Sequence, residues 1–287
     1  RKGQNMKESI RVIRSIQEMR EYRNLIKETK NIGFVPTMGY LHEGHLSLVK
    51  QSNKESDITI VSIYVNPSQF GANEDLDHYP RDLERDLEFL GQYDVDAVFL
   101  PTTEEMYPEN YLTWINVDEI SAMYCGASRP GHFKGVATIV SKLINIVKPL
   151  YIYMGEKDYQ QIAVLKKMIQ DLNYDCYIRP CPIVREKDGL AMSSRNVYLN
   201  ETERKNALCL YEAQILAKDT VYHGEKNIDS VKMKMISHIH EKGGKVDYVE
   251  FTDPLTLKEK SDLCGLTRVL MAVYIGKTRL IDNFEIN

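Results

Sequence analysis

The run ITIVSIYV at residues 58–65 constrains this chain more than any other stretch. Its β-branched residues follow one another without the polar alternation of a one-sided sheet. A strand of this kind is buried on both faces, which is the situation of a parallel sheet with helices on either side. The neighbouring segments agree. Strands are predicted at 32–36, 58–65, 97–100 and 151–154, with helices at 44–53, 81–92, 135–147 and 158–172. Alternation of this sort implies right-handed βαβ crossovers and a doubly wound, mostly parallel α/β sheet. Ligands bind such sheets outside the carboxyl ends of the strands, where strand order reverses. After Cys181 and Pro182 the pattern changes to a loop, helical stretches at 201–218 and 228–242, and strands at 246–251 and 268–275. That order suits a smaller α+β domain beginning near residue 183, and no internal repeat is visible.

At 287 residues the chain is long enough for two domains, at about 100–200 residues each. It is 43% hydrophobic and 27% charged, with a net charge of −4 and its basic residues interspersed among acids. A nucleic-acid surface normally shows as a basic patch or stripe, so no nucleic-acid partner is expected. No apolar run approaches the roughly 18 residues of a membrane span, and no signal-peptide pattern opens the sequence, so no membrane partner is expected either. Arg1–Asn5 precede Met6, which reads as the natural start, so these five residues are expected to be an addition to it. Five cysteines, without a CxxC pair, argue against a disulfide framework or zinc knuckle and for a reducing cytoplasm.

Four polar clusters fall where this fold would place a site. His42 and His45 follow the first predicted strand, and NPSQF (66–70) follows the second. GEKD (155–158) follows the strand YIYM, and MSSRN (192–196) lies at the domain junction. In HEGH the two histidines are three residues apart, one short of the i, i+4 spacing of a zincin helix. That spacing could still bind metal, though no further His or Cys is placed beside them. Histidines without a role are a second reading. Phosphate binding is the third, because helix N-terminal N–H groups favour anions and imidazoles add donors. Gly39 and Gly44 would let backbone approach closely. GEKD alone is an ordinary polar turn and MSSRN alone an ordinary loop. Jointly, a lysine and an arginine at separate strand ends are what a triphosphate requires.

TMGYLHEGHLSLV resembles the HxGH signature of class I synthetase-like nucleotidylyl transferases. MSSRN resembles their KMSKS-type mobile loop, with Arg195 where many relatives have lysine. More narrowly, VPTMGYLHEGHLSLV, VSIYVNPSQFGANEDLDHYPRDLERD, GHFKGVATIVSKLINIV, MGEKDYQQ and IVREKDGLAMSSRNVYL resemble the pantothenate synthetase (pantoate–β-alanine ligase) family, in family order from residue 33 to about 200. The departures are slight and fall at Tyr40 and Ser68. The resemblance implies a Rossmann-like nucleotide-binding domain over residues 1–182 and a C-terminal α+β lid domain over 183–287.

It further implies ATP-dependent condensation of (R)-pantoate with β-alanine to pantothenate, AMP and pyrophosphate, through a pantoyl adenylate. By similarity, Met38, Gly39, Tyr40, Leu41, His42, Glu43, Gly44 and His45 contact ATP, with His45 the proton donor. Gly155, Glu156, Lys157, Asp158, Val184, Met192, Ser193, Ser194 and Arg195 are the other ATP positions. His42, His45, Lys157 and Arg195 carry the catalysis. Gln69 and Gln161 match pantoate-binding glutamines, and Gln69 also faces β-alanine. Asn66 and Tyr79 are further pocket candidates, with Arg129 and His132 in a flexible Gly-rich loop over the site. Mg²⁺ is expected to arrive with ATP, held by phosphate oxygens and water with no named protein ligand. A homodimer is implied as well. A carboxylate is already ionised at pH 7, so the first step demands charge stabilisation rather than a base, and His42 and His45 are expected to act chiefly as donors to phosphate.

Three rival readings differ in what they need. A nucleotidylyl transferase stopping after one transfer would share HxGH and the basic loop but need no second-amine pocket. An RNA-binding module would want a basic, aromatic-studded surface. A catalytically dead relative should have lost HxGH, GEKD or the Ser-Ser-Arg loop, and all three stand in the sequence.

Overall fold

The computed structural model describes residues 10–72 and 74–287. Arg1–Asn5 and Met6 lie outside the described residues. Among the described residues the strands are, in chain order, β1 (Arg11–Ile13), β2 (Ile32–Thr37), β3 (Ile58–Ile63), β4 (Ala97–Phe99), β5 (Tyr151–Gly155), β6 (Tyr177–Cys181), β7 (Gly244–Thr252), β8 (Thr267–Ile275) and β9 (Thr278–Ile286). The first six form one sheet in the order β1-β4-β3-β2-β5-β6, and every pairing in it is parallel. Chain order runs outward from β2 in one direction through β3 and β4, and from β5 in the other to β6. The reversal therefore lies between β2 and β5.

Side chains along these strands alternate between two cores, as the pleat requires. Phe34, Ile60, Phe99 and Ile152 enter one core, covered by the helices Ile16–Leu25, His132–Val147 and Tyr159–Asp171. Val35, Val61, Val98 and Tyr153 enter the other, covered by Glu43–Glu55 and Leu83–Leu90. Burial on both faces accounts for the unbroken apolar run at residues 58–65.

The last three strands form an antiparallel sheet. Val269, Met271, Val273 and Ile275 of β8 pack under the helices Cys209–Tyr222 and Ile228–Glu241 in a third core. The helix expected at 201–218 is two, Glu201–Asn206 and Cys209–Tyr222. Three strands escape the sequence pattern. β1 is a three-residue edge, β6 carries Arg179 and Pro180, and β9 buries the polar pair Asp282 and Asn283. Among the described residues no helix is long and apolar enough to cross a membrane.

Candidate active site

A cavity of about 230 Å³ opens at the carboxyl ends of β2 and β5, at the point of reversal. All four polar clusters reach it: Met38, His42, Gly44 and His45; Asn66 and Gln69; Gly155, Lys157 and Asp158; and Met192, Ser193, Ser194 and Arg195. Tyr79, Arg129, His132, Gln161 and Val184 complete the expected set that lines it. It adjoins a cleft of about 1440 Å³ running toward the second sheet, whose walls share Arg129, His132, Lys157, Asp158, Gln161, Ser193 and Arg195.

The histidines are held by their own helix end. His42 is the N-cap residue of Glu43–Glu55, with extended backbone. The Gly44 N–H donates to His42 Nδ1 at 3.1 Å, and the His42 N–H donates to His45 Nδ1 at 3.3 Å. A ring nitrogen that accepts carries no proton, so each neutral ring carries its hydrogen on Nε2 and presents a donor at that edge. Burial, reinforced by the nearby Lys157 charge, holds His42 down to about 4. Burial and the neighbouring His42 hold His45 well below the ordinary range. Both are therefore neutral donors at pH 7. The ring centroids lie 4.1 Å apart with the planes tilted by 40°, a closeness that two imidazolium ions would oppose.

Gly44 has a specific reason to lack a side chain. A Cβ there would sit 2.7 Å from His42 Cε1 and 2.8 Å from Nδ1, where the ring folds over the helix start. Gly39, at φ +84°, makes the turn out of β2, and a Cβ on it would press on Ile63 and Asp86.

Asp86, buried on the helix Leu83–Leu90, clamps this turn. Its two oxygens accept from the Tyr40 and Leu41 N–H groups, each at 2.7 Å. Burial pushes its carboxyl above the usual range despite those two bonds. Arg85 adds a donor to the Leu41 carbonyl at 3.0 Å and lies 4.8 Å over the Tyr40 ring. The expected ATP positions Gly39, Tyr40 and Leu41 are thus absent from the cavity wall. Leu41 is a core side chain, and Glu43 is exposed and paired with Lys50. Glu156 also lines neither cavity.

Two of the cations, Arg195 and Arg129, converge on acids that the sequence reading did not single out. Arg195 makes a two-pronged ion pair with Asp75 at 2.9 and 2.8 Å, and Tyr198 donates to the same carboxylate. Burial works against the Asp75 carboxylate, but Arg195 outweighs it and holds the pKa below the usual value. Arg129 grips Glu74 likewise at 2.7 and 2.6 Å. Lys157 lies 3.3 Å from Asp158. Ser194 donates to the Tyr40 carbonyl at 3.3 Å, so the Ser-Ser-Arg loop docks on the HxGH turn.

His132 departs from the expectation of a flexible loop. It opens the long helix His132–Val147, is buried, and is held down to about 4 by burial and then by Arg129. Its Nδ1 lies 2.9 Å from the Gln69 carbonyl, which can only accept, so Nδ1 carries the proton. Asn66 is buried with both amide ends engaged, donating to Gln69 and Gly135 and accepting from Ser68 and Tyr107. It shapes the wall rather than presenting a free group. Of the adjacent glutamines, Gln160 is spent on backbone groups of residues 120–125, while Gln161 faces the cavity. Among the described residues no group of three or more His, Cys, Asp or Glu side chains could hold a metal ion.

The family model described as pantoate-beta-alanine ligase matches residues 11–285. Pantothenate synthetase of Caldicellulosiruptor bescii is 56% identical over 277 residues, covering 96% of this chain and 98% of the relative. That of Fervidobacterium nodosum is 52% identical, covering 97% and 100%. The crystal structure of pantothenate synthetase from Thermus thermophilus superposes with a TM-score of 0.88 at 40% identity, covering 96% and 99%. The pantoate-beta-alanine ligase of Francisella tularensis, solved in complex with beta-gamma ATP and beta-alanine, gives 0.82 at 38%, covering 96% and 97%. With its site at the sheet reversal and its matches end to end, the chain belongs to the pantoate–β-alanine ligase family of enzymes.

Proposed function

We propose that the 230 Å³ cavity and its adjoining cleft bind ATP, (R)-pantoate and β-alanine and join the two acids through a pantoyl adenylate. The observation that carries this reading is the convergence of two neutral Nε2–H donors with Lys157 and Arg195 around one cavity at the β2/β5 reversal. The complex of the Francisella tularensis relative supports two of the three ligands. In the first step a pantoate carboxylate oxygen attacks the α-phosphorus, the bond to the β-phosphate oxygen breaks, and pyrophosphate leaves. No proton need be abstracted, since the carboxylate is ionised. In the second step the β-alanine amine, having lost its ammonium proton, attacks the acyl carbon; the bond from that carbon to the AMP phosphate oxygen breaks, AMP departs, and the nitrogen releases its second proton to solvent as the amide forms.

His42 and His45 donate to phosphate oxygens as negative charge redistributes, and Lys157 and Arg195 neutralise that charge. Arg195 must then exchange its Asp75 partner, in whole or part, for phosphate oxygens. Gln69 and Gln161 each offer an amide that can donate to and accept from the pantoate hydroxyls. Gly155, Asp158, Val184, Met192 and Ser193 wall the nucleotide side. Glu74, Asp75 and Asp158 are each paired with a cation, so they form no ready cage for a divalent ion. Mg²⁺ would be carried on the phosphates and shield their charge. Residues 1–182 act as the nucleotide-binding domain and 183–287 as the lid, in a cytoplasmic homodimer. Chromatographic detection of pantothenate and AMP in equal amounts, with each substrate omitted in turn, tests the reading. Product formed without pantoate or without ATP would overturn it.

A further inference from the structure

We propose that Asn283, on β9, is a positioning residue for Lys157, so that the second sheet forms part of the phosphate site. This rests on the reading of Lys157 as a phosphate ligand. Lys157 sits in the three-residue turn Glu156–Asp158 between β5 and the helix Tyr159–Asp171. Asn283, only 2% exposed, binds two carbonyls of this turn with its side-chain amide. Its Nδ2 donates to the Glu156 carbonyl at 2.8 Å and to the Lys157 carbonyl at 3.1 Å.

The orientation of that amide is determined by chemistry. Its Oδ1 accepts from Arg268 at 2.9 Å, and a guanidinium has no acceptor to offer in exchange. The NH₂ must therefore face the two carbonyls. Arg268 is itself fixed from two sides. It pairs with Glu285 and lies 4.0 Å over the ring of Tyr159, the residue that follows the turn. Tyr159 in turn donates to the Pro254 carbonyl at 2.8 Å. The turn carrying Lys157 is thus held against the second sheet through its backbone and through the side chain next to it.

The preceding residue does the same for the other cation. Asp282 receives Arg185 in a two-pronged pair at 2.6 and 2.9 Å. Arg185 bridges Ala191, and the segment carrying Ser193, Ser194 and Arg195 leads on directly from that bridge. One dipeptide of β9 therefore registers both loops that bear the phosphate-facing cations, and both of its residues wall the larger cleft. Movement of the second sheet would move Lys157 with it.

The test is a double-mutant cycle read by titration calorimetry with Mg-ATP, with thermal unfolding measured in parallel. Asn283→Ala is made in the native background and in Lys157→Ala. Asn283→Ser, which keeps a polar side chain beside Arg268, is made in both so that the comparison survives if the alanine variant does not fold. A positioning role predicts about tenfold weaker ATP binding when Lys157 is present and less than twofold when it is absent, with equal loss of thermal stability in both. The KM for β-alanine should not move. Equal weakening in the two backgrounds, or none in either, would overturn the proposal. If Lys157→Ala alone leaves ATP affinity unchanged, the phosphate reading of Lys157 fails instead.

Discussion

Replacing Gly44 by alanine should separate activity from stability. The new Cβ would lie 2.7 Å from His42 Cε1, so the ring must swing off the helix start. That movement breaks the bond from Gly44 N–H to His42 Nδ1, a capping interaction worth about 1 kcal/mol. Alanine in place of glycine returns up to about 1 kcal/mol through helix propensity, the full amount applying only in a helix interior. The two nearly cancel. Net stability should stay within about 1 kcal/mol, a Tm change of roughly 2–4 °C for a chain this size. Activity has no such offset. A displaced His42 no longer aims its Nε2–H, and loss of one positioned donor costs about 10²–10³ in kcat, or roughly 2.7–4 kcal/mol. The assay is AMP formation at saturating substrates beside a thermal melt. Adding Gly44→Ala to His42→Asn should cost little more, because the donor is already gone. Turnover within threefold of the parent would refute the claim that Gly44 exists to seat His42. A fall in Tm well beyond 5 °C would show that backbone rather than ring gives way.

Asp86→Asn keeps the shape of the clamp but sets an NH₂ against one of two backbone N–H groups, costing about 1–3 kcal/mol in stability. It should also lower kcat/KM for ATP by 10-fold or more, and a melt with unchanged kinetics would dissociate the clamp from catalysis. Acidification should destabilise the fold before carboxylates titrate. His132, held to about 4, binds fewer protons folded than unfolded, so stability is lost as pH falls from 6.5 toward 4. Between pH 6.5 and 5 that amounts to about 1.5 kcal/mol for this group, with His42 adding to it in the same direction. Denaturant melts of His132→Asn should lose that part of the slope, and an undiminished slope would count against it. Removing Mg²⁺ with EDTA should abolish turnover while leaving the thermal melt of the ligand-free protein unchanged, because the ion is carried by phosphate. A chelator-induced drop in Tm would instead reveal a structural metal site.

The sheet was legible because both faces of β2, β3 and β5 are buried, which writes itself as near-continuous apolar runs. β9 was not, since Asp282 and Asn283 interrupt its pattern, and their partners Arg185 and Arg268 lie up to 97 residues away. The four clusters were readable as strand-end polar residues, and family resemblance turned them from turns into a site. What escaped was the layer that holds them. Asp86, Asp75 and Glu74 are carboxylates in an acid-rich stretch, and nothing local distinguishes them from surface charges. Their roles exist only through Tyr40, Arg195 and Arg129, 46, 120 and 55 residues away. Asn66 shows the converse. The resemblance made it a pocket candidate and it does line the cavity, but the folded chain engages both ends of its amide.

Exchange of labelled pyrophosphate into ATP, with Mg²⁺ and pantoate present and β-alanine withheld, addresses the central claim most directly. The account predicts exchange that requires pantoate, falls at least 100-fold in His42→Asn or His45→Asn, and is quenched when β-alanine drains the adenylate. Protein that binds ATP yet catalyses no pantoate-dependent exchange would contradict a reversible adenylate at this site.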